Sequence, residues 1–444
     1  MEYIPVTDKD KQAMLERIGV KDAAELFSVI PESARIKGLN LPGGMSEHKL
    51  FQTMETLSKK NSCLNDYLNF RGAGIYEHFI PSLVGEIVNR SEFSTAYTPY
   101  QPEASQGTLQ AIFEYQSLMA GLTGLDVSNA SLYDGASAVA EAALLAARST
   151  GRKQILVSSA VHPEYRQVLT TYLQGTTIEV TSVPIESGVT SLTALKPLIS
   201  TQAAALIVQS PNFLGTIEDI AEIKNLIKDS GALFITVVNP ISLGILKSPG
   251  EAGADIAVGE GQLLGNATAC GGFSFGFMTA RKELAWKMPG RIVGQTNDSQ
   301  GRRGYVLTLQ SREQHIRREK ATSNICTNAA LNALAGCVYL AGWGKDGLRK
   351  LAETNLQKSH YAFDRITRIQ GFEPAFPGVS FFNEFVLKTT KDIAQIKKKL
   401  LAEQIIGPLE LRRFYPDYYD CLLFCVTETK SKEDIDKLVN ALCN

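Results

Sequence analysis

Three observations on this 444-residue chain predict an α/β fold built on a largely parallel sheet. Strand-like and helix-like segments alternate with short links from Gln154 to Val258, the pattern of a parallel sheet covered by helices on both faces. Ala232 to Val238 is a dense apolar run, bounded by Gly231 and the Asn239-Pro240 turn signal. Such a run reads as a strand buried on both sides. Apolar residues make up 44% of the chain, enough for a sizeable core and two or three domains.

The elements follow in order. Thr7 or Asp8 is placed to cap a first helix that stops at Gly19. Asp22 to Phe27 reads as a short helix and Ser46 to Lys59 as a longer one, with a Pro- and Gly-broken stretch between them. This extension either packs on its own domain or wraps a partner. Phe93 to Gly107 is predicted as loop, leading into a helix from about Thr108 to Leu122. Tyr97, Tyr100, Gln101 and Glu103 lie in that loop. Its tyrosines present rigid rings and hydroxyls to a ligand or another subunit, or serve a structural loop at a domain boundary. The turn Asp134-Gly135-Ala136-Ser137 opens an alanine-rich helix ending near Ser149. A helix N-terminus of this kind either offers N–H groups to a phosphate, with Ser137 adding a hydroxyl, or is simply capped. It is neither a G-x-G-x-x-G fingerprint nor a P-loop.

Gln154 to Ser158 is a strand and about Glu164 to Leu173 a helix. His162 sits between them, at the edge of the sheet where ligands bind. Its imidazole either stacks on an aromatic cofactor or exchanges a proton, or it starts the helix as a hydrogen-bonded structural residue. Thr177–Val183, Ala203–Gln209, Ala232–Val238 and Ile256–Val258 are further strands, and Ile217–Asp229 an amphipathic helix. Gly271–Met278 reads as a strand or hairpin arm, followed by a charged helix from Arg281 that Pro289-Gly290 ends. Arg302, Arg303, Arg312, Arg317 and Arg318 suggest a salt-linked subunit interface or an arginine-lined anion pocket. An apolar helix from about Thr327 to Trp343 leads out of the large domain. Beyond it, helix Leu348–Ile366, strand Phe381–Leu387, helix Asp392–Glu403, strand Cys421–Val426 and helix Ser431–Leu442 form an α+β lobe. Ser431 and Asp434 have capping-box spacing. The predicted domains are an N-terminal helical extension and interface arm over 1–90, a large α/β domain over 91–330, and a small α+β domain over 331–444.

The charge balance, 45 Lys+Arg against 46 Asp+Glu, gives no support for a nucleic-acid surface. No uninterrupted apolar run reaches membrane-spanning length, and no leading signal peptide is expected. Its seven cysteines (Cys63, Cys270, Cys326, Cys337, Cys421, Cys425 and Cys443) are scattered and odd in number, which fits a reduced, cytoplasmic setting. The five histidines form no zinc-type spacing, and Cys421 with Cys425 reads as a core pair, so no metal site is expected.

The strand tips decide what chemistry to expect. A pyridoxal phosphate enzyme needs an acidic residue for the pyridine nitrogen and a lysine for the Schiff base. The first tip carries Asn239, and no lysine occurs from Ser248 to Arg281. Long motifs explain this. Phe93–Gln116 (FSTAYTPYQPEASQGTLQAIFEYQ), Asn129–Ala142 (NASLYDGASAVAEA) and Leu309–Asn328 (LQSREQHIRREKATSNICTN) stand out. Gln209–Gly215, Met288–Thr296 and Phe382–Lys388 add to them. Together they closely resemble the alpha chains, subunit 1, of the two-subunit glycine decarboxylase, the P protein of the glycine cleavage system. The resemblance covers essentially the whole chain. It departs in GEGQLLGNATACGGFSFG, where Leu263, Asn266, Thr268 and Ala269 soften the family's Pro- and Gly-rich pattern.

The resemblance implies an aminotransferase-like fold, pyridoxal phosphate fold type I, and an α2β2 heterotetramer with the beta subunit. It implies that pyridoxal phosphate and its Schiff-base lysine belong to the beta subunit, with no covalent cofactor and no catalytic residue on this chain. The complex decarboxylates glycine and passes the aminomethyl group to the lipoyl arm of H protein. Gly135, Ala136 and Ser137 align with the phosphate-end turn of the general fold, and His162 with its ring-stacking position; both, like Asn239, are expected to be vestigial. Tyr97, Tyr100, Gln101 and Glu103 are expected at the αβ interface, bordering the competent site. The competing readings are a noncatalytic interaction protein with a degenerate fold type I domain and an independent pyridoxal phosphate lyase.

Overall fold

A computed structural model describes residues 5–36, 38–94, 97–272, 274–325 and 328–443, apart from the side chain at position 270. The expectations that rest on Thr327, on Cys326 and on the Cys270 thiol lie outside these described residues. Contacts divide the chain into two compact units, Met1–Ser62 and Cys63–Asn444.

In the first unit, Thr7 and Asp10 cap the helix Asp8–Ile18 reciprocally, and Gly19, at φ +85°, ends it. Asp22 caps the short 3₁₀ turn Ala23–Phe27, and the Ser46 hydroxyl caps the helix Glu47–Ser58. No described residue of this unit is buried, and Phe27, Leu50, Phe51 and Met54 are exposed.

The second unit is built on a seven-stranded sheet. Its strands are β1 (Val127–Ser128), β2 (Gln154–Ser158), β3 (Glu179–Val183), β4 (Ala203–Ser210), β5 (Leu233–Val238), β6 (Ile256–Glu260) and β7 (Gly276–Ala280). Across the sheet they run β1-β7-β6-β5-β4-β2-β3. All neighbours are parallel except β7, which is antiparallel to both β1 and β6. Alternate side chains serve opposite faces. Ile155 and Val157 join one core with the alanines of the helix Gly135–Thr150, while Leu156 joins another with Ile223 and Ile227 of the helix Ile220–Ile227. Ala138, Ala142 and Ala146 lack bulk, so the 135–150 helix lies close on the sheet.

Most predicted elements are present with small shifts at their ends. The helix expected from Thr108 starts at Gln106. The one expected over Ile217–Asp229 spans Ile220–Ile227, capped by Asp219. The arginine-rich segment contains an unforeseen hairpin, Ile292–Asn297 with Arg303–Thr308. Its turn is closed by Asp298, whose Oδ1 accepts from Gln300 N and Arg302 N, both at 2.8 Å. The two helices expected on either side of residue 345 form one element, Ala330–Ile366, broken at Gly344, where φ is 61° and ψ −174°.

The C-terminal sheet is antiparallel, ordered Phe372–Pro374, Glu384–Thr389, Cys421–Cys425, Leu409–Glu410. Cys421 and Cys425 are buried within it, as expected. Ser431 and Asp434 exchange the capping-box bonds at 2.8 and 3.1 Å. A strap ties this sheet to the large one. Leu68–Asn69 pairs in parallel with Ile405–Ile406, Cys425 N donates to Phe70 O at 2.9 Å, and residues 73–79 then run on towards the tips of the large sheet. Among the described residues no helix is long and apolar enough to cross a membrane, and no group of three or more His, Cys, Asp or Glu is placed to hold a metal ion.

Candidate functional site

The C-terminal edge of β2, β4, β5 and β6 is where an open α/β sheet holds its ligand. Five of the predicted site residues meet there, and all but Ala136 hydrogen-bond to this chain's own groups. Asp134 caps the 135–150 helix: its Oδ1 accepts from Ser137 N at 2.7 Å, and Asp134 N donates to Ser137 Oγ at 3.2 Å. The free N–H of Gly135 donates to Glu260 Oε2 at 3.0 Å. Glu260 ends β6 and is buried; its other oxygen accepts from Gln262 N at 3.0 Å and from Ser274 Oγ. Ala136 is half-buried beside them. Only glycine fits at 135, because a Cβ there would stand 2.6 Å from Tyr165 Oη.

His162 caps the helix Pro163–Leu173 and is buried. Its Nδ1 accepts from Glu164 N at 3.2 Å, which leaves the proton on Nε2 to donate to Ala73 O at 2.9 Å. Burial lowers its pKa below the ordinary histidine value, so the neutral ring is favoured. One ring face stacks on Tyr165 at 4.6 Å, and Phe213 meets it edge-on at 4.7 Å. Asn239 turns its Oδ1 back to its own loop, accepting from Ile241 N at 2.9 Å. On the lysine-free tip, Gln262 is buried and its amide exchanges two 3.0 Å bonds with the Tyr76 backbone.

The strap closes the niche. Glu384 Oε1 accepts from Ala73 N at 2.6 Å and Oε2 from Tyr76 Oη at 2.7 Å. Burial raises the Glu384 pKa to about 7, against the pull of these two donors. The cavity that remains, between Gly74, Tyr76, His162, Asn239, Glu260 and Glu384, measures about 30 Å³. That is room for about one water. The residues present do not fit pyridoxal phosphate: the volume is too small, no lysine stands at the tips and Asn239 occupies the place of the acid, and the helix N-terminus already faces the Glu260 carboxylate.

The loop residues form a second, separate locus. Tyr97 is 82% exposed and Tyr100 47%; Gln101 and Glu103 are exposed as well. Under the loop lies Arg291, buried. Its guanidinium lies 5.4 Å from the Tyr100 ring centre and donates to Tyr100 Oη at 3.1 Å and Asn328 Oδ1 at 3.2 Å. Buried Glu313 stands 3.8 Å from Arg291 Nε and 3.6 Å from His315 Nδ1. A cavity of about 470 Å³ adjoins, lined by Phe93, Tyr97, Tyr115, Ala130, Asn328 and Leu331 among others. The buried Tyr115 hydroxyl has no partner among the described residues. The predicted arginine cluster does not converge on an anion pocket. Arg312 is spent on the carbonyls of Met288, Gly290 and Leu309, Arg302 pairs with Asp298 at 2.7 Å, and Arg303 lies over Tyr305.

Sequence reasoning missed Glu260, Gln262, Glu384 and Arg291. Glu260 left one signal: a carboxylate at the end of the apolar strand Ile256-Ala257-Val258-Gly259 has to be buried, and a buried carboxylate needs donors.

Comparison with known proteins agrees over the whole chain. A family model described as Glycine cleavage system P-protein matches residues 1–442. A protein of Endomicrobium trichonymphae named probable glycine dehydrogenase (decarboxylating) subunit 1 is 55% identical over 443 residues, covering 100% of this chain and 99% of that one. One of the same name from Desulfitobacterium hafniense is 53% identical over 440 residues, covering 99% and 98%. A crystal structure titled glycine decarboxylase (P-protein) of the glycine cleavage system, in inhibitor-bound form, superposes with a TM-score of 0.92 at 42% identity, covering 100% of this chain and 99% of that one. The α/β architecture, with its large mostly parallel sheet, is that of pyridoxal phosphate fold type I. This chain belongs to the glycine cleavage system P-protein family, and within it to the subunit 1, or alpha, type.

Proposed function

We propose that this chain is the alpha subunit of a two-subunit glycine dehydrogenase (decarboxylating), active only in complex with a lysine-bearing beta subunit. The carrying observation is the combination of a whole-length subunit 1 match with a closed ligand edge that leaves about 30 Å³. Pyridoxal phosphate, which acts as the electron sink for decarboxylation, is then held by the beta subunit. In the α2β2 complex glycine loses carbon dioxide, and its aminomethyl carbon is left on a sulfur of the reduced lipoyl arm of H protein. The setting is cytoplasmic.

For this chain's own residues the reading assigns interface work. Tyr97, Tyr100, Gln101 and Glu103 face the partner and border its active site, supported by the exposure of the loop and by the buried Arg291 that fixes Tyr100. Gly135, Ala136, Ser137, His162 and Asn239 are vestigial, supported by the bonds that Gly135, Ser137, His162 and Asn239 already make and by the small cavity left beside them. We further divide the chain into an interface arm over 1–90, a large domain over 91–330 and a small domain over 331–444. The exposed apolar residues of the first unit support the first, and the two sheets support the others.

Reconstitution tests the reading. Glycine-dependent carbon dioxide exchange is expected only when this chain, the beta chain and lipoylated H protein are mixed. Exchange by this chain with H protein alone would overturn it. So would an internal-aldimine absorbance, removable by borohydride, on this chain purified alone.

A further inference from the structure

The niche departs from a ligand site in one specific way: its anion is built in. A helix N-terminus at the edge of a parallel sheet is an anion position, because unpaired N–H groups and the helix dipole converge there. In this chain the 135–150 helix points Gly135 N–H at Glu260 Oε2, 3.0 Å away. The carboxylate also receives Gln262 N–H at 3.0 Å and the Ser274 hydroxyl. These donors come from three separate segments, and they converge on one side chain that is only 8% exposed. Glu260 itself lines the residual cavity of about 30 Å³, so its removal would enlarge that cavity directly.

The geometry assigns Glu260 as a resident anion that occupies the oxyanion position of this fold and keeps phosphate compounds out of it. This rests on the reading that the cofactor belongs to the partner. It adds that the missing lysine is not the only barrier: a carboxylate fills the place a phosphate group would take. Asp134 stands beside that position, since it caps the same helix. It does not replace Glu260, because its Oδ1 is committed to Ser137 N.

The test uses the full-length chain alone, with inorganic phosphate as the probe. Equilibrium dialysis and thermal unfolding are followed against chloride at matched ionic strength. The wild type is expected to bind no phosphate and to unfold at the same temperature in both salts. Glu260→Ala is expected to bind one phosphate per chain, roughly tenfold or more tighter than the weakest binding the dialysis detects, on the scale of a charge-assisted hydrogen bond regained. Its unfolding temperature is expected to rise with phosphate, as mass action requires. Equal binding by the two proteins, or none by a folded Glu260→Ala, overturns the assignment. Should Glu260→Ala fail to fold, Glu260→Ser, which opens the same space and keeps one hydroxyl acceptor, is read by the same dialysis: phosphate binding above wild type supports the assignment, and none by the folded variant refutes it. None of these measurements involves pyridoxal phosphate or the beta chain, so they fail independently of the two-chain reading.

Discussion

The ligand edge of the seven-stranded sheet and the Tyr97–Glu103 loop carry the same kinds of residue to opposite ends. At the sheet edge, glutamates, glutamine, tyrosine and histidine are buried and bonded to this chain's own groups. In the loop, tyrosines and glutamate stand in solvent beside a cavity about fifteen times larger in volume. The first arrangement is what stability requires, since a buried polar group costs little only when paired. The second is what recognition requires, since aromatic and polar groups held at the surface are available to another surface. The contrast teaches that substitutions in the niche should register in folding, and substitutions in the loop in the complex.

Four variants put pressure on that contrast. The largest effect is expected beneath the loop, at the buried Arg291. Arg291→Met leaves Glu313 buried without its cation and removes the bond to Tyr100. It should cost about 3–5 kcal/mol in urea unfolding. A loss below about 1 kcal/mol would mean that the loop is not rooted in the buried framework.

Next is Glu384→Gln. Its carboxyl has a folded pKa of about 7 against 4.5 for a free glutamate side chain, so the folded chain holds a proton that the unfolded chain releases. The stability associated with this group is full below pH 4.5 and is lost as pH rises towards 7. The loss amounts to on the order of 3 kcal/mol. Glutamine keeps one acceptor for Ala73 N or Tyr76 Oη, and does not titrate. The variant should therefore match wild type near pH ~4 and be the more stable protein near pH ~8. An unchanged slope across that range would remove Glu384 from the account.

The smallest effect on folding is expected for Tyr97→Phe and Glu103→Gln, within about 0.5 kcal/mol. In the reconstituted complex, both should lower the glycine exchange rate or raise the KM for H protein. Unchanged kinetics would reject a direct role for the loop.

The two loci also differ in how legible they were. The parallel sheet, its covering helices and the lysine-free tip could be read from periodicity and spacing, because each is a local pattern. The Thr7, Asp134 and Ser431 caps were equally local. The closure of the niche was not. Gly135 and Glu260 are 125 residues apart, and Ala73 and Glu384 are 311 apart; nothing in either neighbourhood announces the other. The hairpin Ile292–Thr308 was hidden for another reason. Its arginines drew attention to charge, while the turn that pairs its strands depends on the single carboxylate of Asp298.

The strap has a consequence for how the molecule is made. It is synthesised early, yet its partners include Glu384, Ile405–Ile406, Cys425 and Glu428 near the other end of the chain. At a translation rate of ~5–20 residues per second, the 311 residues between Ala73 and Glu384 take roughly 15–60 s to emerge. During that interval the Ala73 N–H and the Tyr76 hydroxyl have no carboxylate to bond, and Leu68–Asn69 has no strand beside it. The strap therefore cannot lock until the C-terminal sheet has emerged, and a chain truncated before that sheet is left open at the edge that the finished protein seals.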